Sequence, residues 1–324
     1  MKNVLGLINL HENEELLKEL TRLRPLAAVP FGGRYRLIDF VLSNMVNSGI
    51  VNVGIVVKHK YRSIMDHLRS GKEWDLARKR DGLFILPPPD HTHYANSIYK
   101  GDLEHFHTHV DYLERSTQEY VIVAGSHTIY NTDYREAFRY HLEKQADITI
   151  LYKDEQPAPG KQFSLATVLT VADDGRVTDI HVATGRVAAG PVCLETYIMR
   201  KELLLQIIEV CIARGEYDFV KEGIVKRMDQ YRVFGFPFTG YMAKINSVQS
   251  YFRANMDLLH PEIWQDLYLK SGAVYTKVKD EPPANYRDQA AVGNVLVANG
   301  CVIEGRVENS VLFRSVKVHR GAYV

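Results

Sequence analysis

The feature that most constrains this chain is a regular alternation, over its first two thirds, of short β-branched runs and stretches with amphipathic helical spacing. Val51-Asn52-Val53-Gly54-Ile55-Val56-Val57 reads as a buried strand, and helical spacing follows over residues 61–69. Tyr120-Val121-Ile122-Val123-Ala124-Gly125 is a second run, ending in a glycine, with a helix expected over 134–145 and a third strand over 147–152. Strands separated by helices across ~30 residues imply βαβ units and a mostly parallel sheet. Ligands of such sheets sit beyond the carboxyl ends of the strands, so chemistry is expected near residues 125–133.

The end of the chain has another rhythm. Val297 and Ile303 are six apart, as are Leu312 and Val318, and Cys301, Val307, Val316 and Ala322 each follow four residues later. A six-residue period of this kind is the hexapeptide signature of a parallel β-helix, an ordinary hairpin-rich β tail being the alternative. The longer step from Ile303 to Leu312 reads as one coil with a short bulge. Few coils are visible, and Val324 falls in mid-pattern without a polar cap. Uncapped coils expose strand edges, so this part is expected to need a neighbour or more chain and to serve in assembly. Residues 247–269 are helical in pattern, with Tyr251, Leu258 and Leu259 spaced for one face, and Glu281-Pro282-Pro283-Ala284 is a stiff break. The expected division is 1–245 for the α/β domain, 246–284 for a helical connection and 285–324 for the β-helix.

Composition excludes several classes. With 40 Lys+Arg against 39 Asp+Glu, no dedicated nucleic-acid-wrapping surface is expected. No apolar run approaches the ~20 residues of a membrane span. The short apolar start gives way to Glu12-Asn13-Glu14-Glu15, unlike a secretory signal. Cys193, Cys211 and Cys301 are sparse and unpatterned, as reduced thiols in a cytoplasm would be.

The segment from Arg24-Pro25-Leu26 through Pro30-Phe31-Gly32-Gly33-Arg34-Tyr35-Arg36-Leu37-Ile38-Asp39-Phe40, continuing to Leu42-Ser43-Asn44 and Asn47-Ser48-Gly49-Ile50, is highly specific. It resembles the N-terminal signature of the ADP-glucose pyrophosphorylase (glucose-1-phosphate adenylyltransferase) family. Further matches are the stretch His67 to Leu76, Ile85-Leu86-Pro87-Pro88, Ala95-Asn96-Ser97-Ile98-Tyr99, Asp218-Phe219 and Gly240-Tyr241. The resemblance runs essentially the whole length. It implies a Rossmann-like nucleotidyltransferase domain of GT-A-like type followed by a left-handed parallel β-helix.

The departures from that family carry more information. Its phosphate loop, of type G-G-x-G-x-R-L, falls on His11, Glu12, Asn13, Glu14, Glu15, Leu16 and Leu17. A phosphate cradle needs glycines for close backbone approach and a cation for the charge. Here the glycines are gone, Leu16 replaces the arginine, and a carboxylate within ~4 Å would repel a phosphate oxygen by about 1 kcal/mol even in water. Of the family's Mg²⁺-binding Asp positions, one is Ser126 and the other Lys244. Mg²⁺ requires hard anionic oxygens, which a hydroxyl and an ammonium cannot supply, and Lys244 could itself stand in the cation position. The sugar-phosphate lysine of a Glu-Lys-Pro motif aligns with Ala183, and the activating lysine with Leu26.

Joint loss of loop, metal ligands and lysines resembles the GlgD-type subunit of Firmicutes. The resemblance implies a catalytically degenerate, regulatory subunit in glycogen biosynthesis. It would form a heterotetramer with the catalytic subunit that makes ADP-glucose from ATP and glucose 1-phosphate. No cofactor is expected in this chain, with Mg²⁺ confined to the partner. Arg24, Arg34, Arg36, Lys79 and Arg80 are candidates for a phosphate or sugar-phosphate effector, because guanidinium forks match phosphate oxygens. Two other readings are an active adenylyltransferase using Asp133 or Asp39 as replacement metal ligand, and a stand-alone sugar-phosphate sensor. His105, His107 and His109, without an H-E-x-x-H motif, read as a solvated helix face, and His91 and His93 as a loop. Adjacent Ser126 and His127 point apart on an extended turn, against hydrolase chemistry.

Overall fold

The computed structural model describes residues 1–58, 60–88, 100–155, 163–164, 166–182, 186–187 and 190–324. The three runs read as strands fall on β2, β4 and β5 of one large sheet, whose strands are β1 (Val4–Asn9), β2 (Asn52–Val56), β3 (Gly82–Leu86), β4 (Tyr120–Gly125), β5 (Ile148–Glu155), β6 (Thr167–Val171), β7 (Val177–Val182), β8 (Gly190–Arg200) and β9 (Val233–Pro237). Along one path the order is β7-β6-β8-β4-β1-β2-β3, with β5 beside β8 and β9 beside β5. The expectation of a mostly parallel sheet needs correction. The half built from β3, β2, β1 and β4 is parallel, but β8 runs antiparallel to β4, β5 and β6, making the sheet mixed.

Helices cover both faces, as a sheet buried on both sides requires. They include α1 (Leu37–Asn47), α2 (Arg62–Leu68), α3 (Asp102–Thr108), α4 (Val110–Arg115), α5 (Tyr134–Glu143) and α6 (Lys201–Ala213). Successive side chains of a strand point to opposite faces. Val4 and Ile8 of β1 therefore pack with Ile38, Val41 and Met45 of α1, whereas Leu5 and Leu7 pack with Leu204, Ile207 and Ile208 of α6.

The expected helix over 247–269 is two helices, α7 (Val248–Asp257) and α8 (Pro261–Leu269). Pro261 occupies the first turn of α8, where its missing N–H costs nothing, and so begins a new helix rather than continuing the old one. Leu258 is buried between them, packed with Phe31, Phe40 and Tyr268 under the segment that carries Gly32 and Gly33.

The C-terminal strands β10 (Asn285–Tyr286), β11 (Ala291–Val297), β12 (Val302–Ile303), β13 (Arg306–Leu312) and β14 (Lys317–Val318) stack in parallel, Asn285 against Val302 and Val302 against Lys317, with β11 beside β13. Cys301, Ile303, Val307, Leu312 and Val318 form its small core, flanked by Val297 and Val316, while Ala322 is exposed. These strands lean on the α/β part at Gly33, where a Cβ would lie 3.2 Å from the Leu312 carbonyl oxygen. Among the described residues no helix is long and apolar enough to cross a membrane.

Candidate functional site

Two strand ends and the middle of a third strand meet at the carboxyl edge of the parallel half of the sheet. Asn9 closes β1 opposite Gly125 at the end of β4, and Ala124 pairs with Thr196 of β8. Beyond them lies a cleft of about 430 Å³ lined by Asn9, Glu12, Asp102, Gly125, His127, Glu195, Asp218 and Lys221 among others. This is the position that sheet topology predicts for a ligand.

The residues standing where metal ligands and phosphate loop were expected are wired to one another. Glu12 Oε1 accepts hydrogen bonds from the Ser126 backbone N–H (2.8 Å) and from Ser126 Oγ (2.5 Å). Lys244, paired in a short ribbon with Thr128, donates to Glu195 Oε1, which also lies 3.2 Å from His127 Nε2. His127 Nδ1 is 3.9 Å from Glu12 Oε1, an ion-pair contact too long for a hydrogen bond. Ser126 and Lys244 are almost fully buried. Two carboxylates and two cationic groups thus compensate each other inside the protein, as buried charges must.

The electrostatics follow from that pairing. Burial alone would lower the His127 pKa, but the Glu195 charge and contacts with Glu12 and Glu195 outweigh it and push it up to about 9. Burial would raise the Glu195 carboxyl, yet His127 and Lys244 hold it well below the usual range. Glu12 is lowered likewise, by His127 and the Ser126 hydroxyl acting against burial.

Such a constellation does not fit a divalent ion. An ammonium and a hydroxyl occupy the expected carboxylate positions, and the carboxylates present are already neutralised. Among the described residues, no three His, Cys, Asp or Glu gather as a metal site. The alternative ligands are spent elsewhere. Asp39 is buried against His67 (2.6 Å) and accepts from the Arg36 N–H, and Asp133 caps α5 and pairs with Arg135.

The loop His11–Leu16 differs in detail from the expectation of naked negative charge. Glu12 turns inward, Glu14 accepts from the Leu26 N–H at 2.8 Å and lies 3.6 Å from Lys60, and of the three carboxylates only Glu15 is exposed. Lys18, Arg22, Lys58 and Lys60 line the same side cavity of about 740 Å³. Two backbone donors of the loop are also used within it. The Glu15 N–H is bonded to Asn13 Oδ1 and the Leu17 N–H to the Glu14 carbonyl, leaving those donors no room for an anion. Leu16 is half exposed, and Leu26 is fully buried among Leu17, Phe31 and Phe40, where no cation would fit. Ala183, His91, His93 and the Ala95 to Tyr99 motif lie outside the described residues.

Of the candidate anion-binding residues, Arg24, Arg34 and Arg36 line one cavity of about 260 Å³ between the α/β part and the C-terminal strands. Sequence reasoning missed the other cations there, Lys277, Lys279 and Arg314. Burial lowers the Arg36 pKa, with Asp39 opposing and Arg24 and Arg314 adding to the shift. Lys79 and Arg80 are exposed and do not join this cavity. His105 is a correction too. It is buried, its Nδ1 3.1 Å from His11 Nε2, whereas His107 is exposed and His109 contacts the Pro87 carbonyl. The cysteines are free and buried.

Glu195 was missed altogether. Its signal was a lone carboxylate within the apolar run Val192-Cys193-Leu194-Glu195-Thr196-Tyr197-Ile198 of a central strand, where a charge needs a partner.

Comparison with known proteins agrees with the α/β fold. Residues 15–260 match the nucleotidyl transferase family model. The chain is similar to the glycogen biosynthesis protein GlgD of Bacillus subtilis, 40% identical over 98% of this chain and 81% of that protein. It is 42% identical to GlgD of Geobacillus stearothermophilus, over 99% of this chain and 82% of that protein. The glucose-1-phosphate adenylyltransferase of Geobacillus stearothermophilus is 33% identical over 95% of this chain and 79% of its own length. With its mixed sheet, its carboxyl-edge cleft and these matches, the chain belongs to the nucleotidyl transferase family, in the branch that holds GlgD proteins and glucose-1-phosphate adenylyltransferases.

Proposed function

We propose that this chain is the catalytically degenerate, regulatory subunit of ADP-glucose pyrophosphorylase in glycogen biosynthesis. It assembles with the catalytic subunit, two copies of each, and tunes the synthesis of ADP-glucose from ATP and glucose 1-phosphate. One observation carries this reading: the closed network Glu12–Ser126 and Lys244–Glu195–His127 fills the place where metal and phosphates would be held. Phosphoryl transfer depends on positioning and on neutralising phosphate charge. A site whose cations are consumed by its own carboxylates offers neither. In this reading Mg²⁺ belongs to the catalytic subunit alone.

The domains are 1–245, 246–284 and 285–324, the last a left-handed parallel β-helix whose role is assembly. An anionic effector, phosphate or a sugar phosphate, binds at Arg24, Arg34 and Arg36. The crowding of like charges there supports this, since an anion relieves it. Co-purification with the catalytic subunit, with the mass of the complex measured by light scattering, tests the assembly. A complex of two plus two is expected, and failure of the chains to associate would contradict it. Turnover measurements test the degenerate site.

A further inference from the structure

Two buried polar atoms of the cleft are left without hydrogen-bond partners among the described residues: His127 Nδ1, a donor when the imidazole is protonated and 3.9 Å from Glu12 Oε1, and Asn9 Oδ1, an acceptor. His127 is only 7% exposed. The Asn9 orientation is fixed because its Nδ2 donates to Asp102 Oδ2 at 3.2 Å, which leaves Oδ1 facing away from that carboxylate. Buried polar groups without partners are uncommon in native proteins, and each calls for a source of hydrogen bonds.

The chemistry of the two orphans selects the ligand. A phosphate group offers acceptors alone, so it would serve His127 but not Asn9 Oδ1, and on a sugar it would add negative charge beside the carboxylates of Glu12, Asp102, Glu195 and Asp218. A hydroxyl both donates and accepts, and can satisfy either orphan as well as the cleft carboxylates. The cavity, about 430 Å³, lies in the range of small-molecule sites, ~300–1,000 Å³, and Tyr197 and Phe219 supply apolar surface on its wall. We propose that the cleft holds an uncharged, hydroxyl-rich ligand of monosaccharide size and discriminates against phosphorylated sugars and nucleotides. This deepens the regulatory reading above, giving the cleft a ligand in place of a reaction.

Titration calorimetry of the full chain at pH 8 tests it, because burial puts the Asp102 transition at about 7 and His127 titrates at about 9, so both orphans are then poised as described. The probes are D-glucose, D-galactose and D-mannose, with glucose 1-phosphate and ATP with Mg²⁺ as the charged comparison. At least one hexose should bind, at least tenfold more tightly than glucose 1-phosphate, and Asn9→Leu should weaken it about tenfold. Glucose 1-phosphate or ATP binding more tightly than every hexose in a chain carrying Arg34→Ala with Arg36→Ala, which removes the basic cavity from the comparison, or no hexose binding, would overturn the proposal, whether or not the Asn9 variant folds. Turnover in the same preparations separates the two readings: absent hexose binding with absent turnover sinks only the ligand, whereas ADP-glucose formation by this chain alone sinks the regulatory subunit.

Discussion

Glu195 adopts the left-handed backbone region, φ 54°, at a bulge in β8. A non-glycine residue there costs roughly 1–2 kcal/mol, which the surrounding pairing must offset. Its carboxylate is what holds Lys244 and His127 inside the protein. Removing Lys244 breaks a buried pair, and Lys244→Met is expected to lower stability by about 3 kcal/mol, read by urea unfolding. No loss would mean that the pair is solvated. The same network sets a pH dependence. The folded His127 pKa of about 9 lies above its unfolded value near 6.5, so its contribution is complete below pH 6.5 and lost as pH rises through 9. Stability should therefore fall by the order of 2–3 kcal/mol between pH 6.5 and 10, and His127→Gln should flatten that slope. An unchanged slope in the variant would assign the effect elsewhere. Restoring one metal carboxylate should not restore chemistry. Ser126→Asp sets a second acid against Glu12, and like charges in one site resist joint ionisation; we expect lower stability and no ADP-glucose formation. Residue identity alone was enough to read Ser126, Lys244 and Leu26 as departures from the family pattern. The replacement network was not legible from the sequence, because Glu12 and Glu195 are 183 positions apart and come together only through strand order.

At the scale of elements, the strands β2, β4 and β5 and the helices α2 and α5 followed from hydrophobic periodicity, since burial on one or two faces fixes a period of two or 3.6. The antiparallel direction of β8 was not legible, because alternation reports which face is buried and not which way a neighbour runs. Nor did periodicity mark the end of α7, which required reading Pro261 as a helix start. The contact at Gly33 joins the elements of both parts of the chain. Its φ is 75° and a Cβ would press on the Leu312 carbonyl oxygen. Gly33→Ala is expected to cost about 1–3 kcal/mol and to loosen β13 against the α/β part, visible as faster amide exchange over residues 306–312. Unchanged protection there would show that the close approach is slack.

For the whole molecule, the two cavities divide the work. In the proposed reading the carboxyl-edge cleft lacks the means for phosphoryl transfer, while the basic cavity between the α/β part and the C-terminal strands holds a set of cations positioned by both. Those from Arg24, Arg34 and Arg36 were legible because they cluster in sequence; Lys277, Lys279 and Arg314 join only in three dimensions. In the assembled complex, Arg34→Ala with Arg36→Ala should diminish the response of ADP-glucose synthesis to phosphate or a sugar phosphate while leaving assembly intact. An unchanged response would place the effector site elsewhere. The most direct measurement is ADP-glucose synthesis by this chain alone, by the catalytic subunit alone and by the co-purified pair. The account predicts no turnover by the chain alone, and a pair that is faster or differently regulated than the catalytic subunit. Turnover by the chain alone, abolished by EDTA, would contradict it.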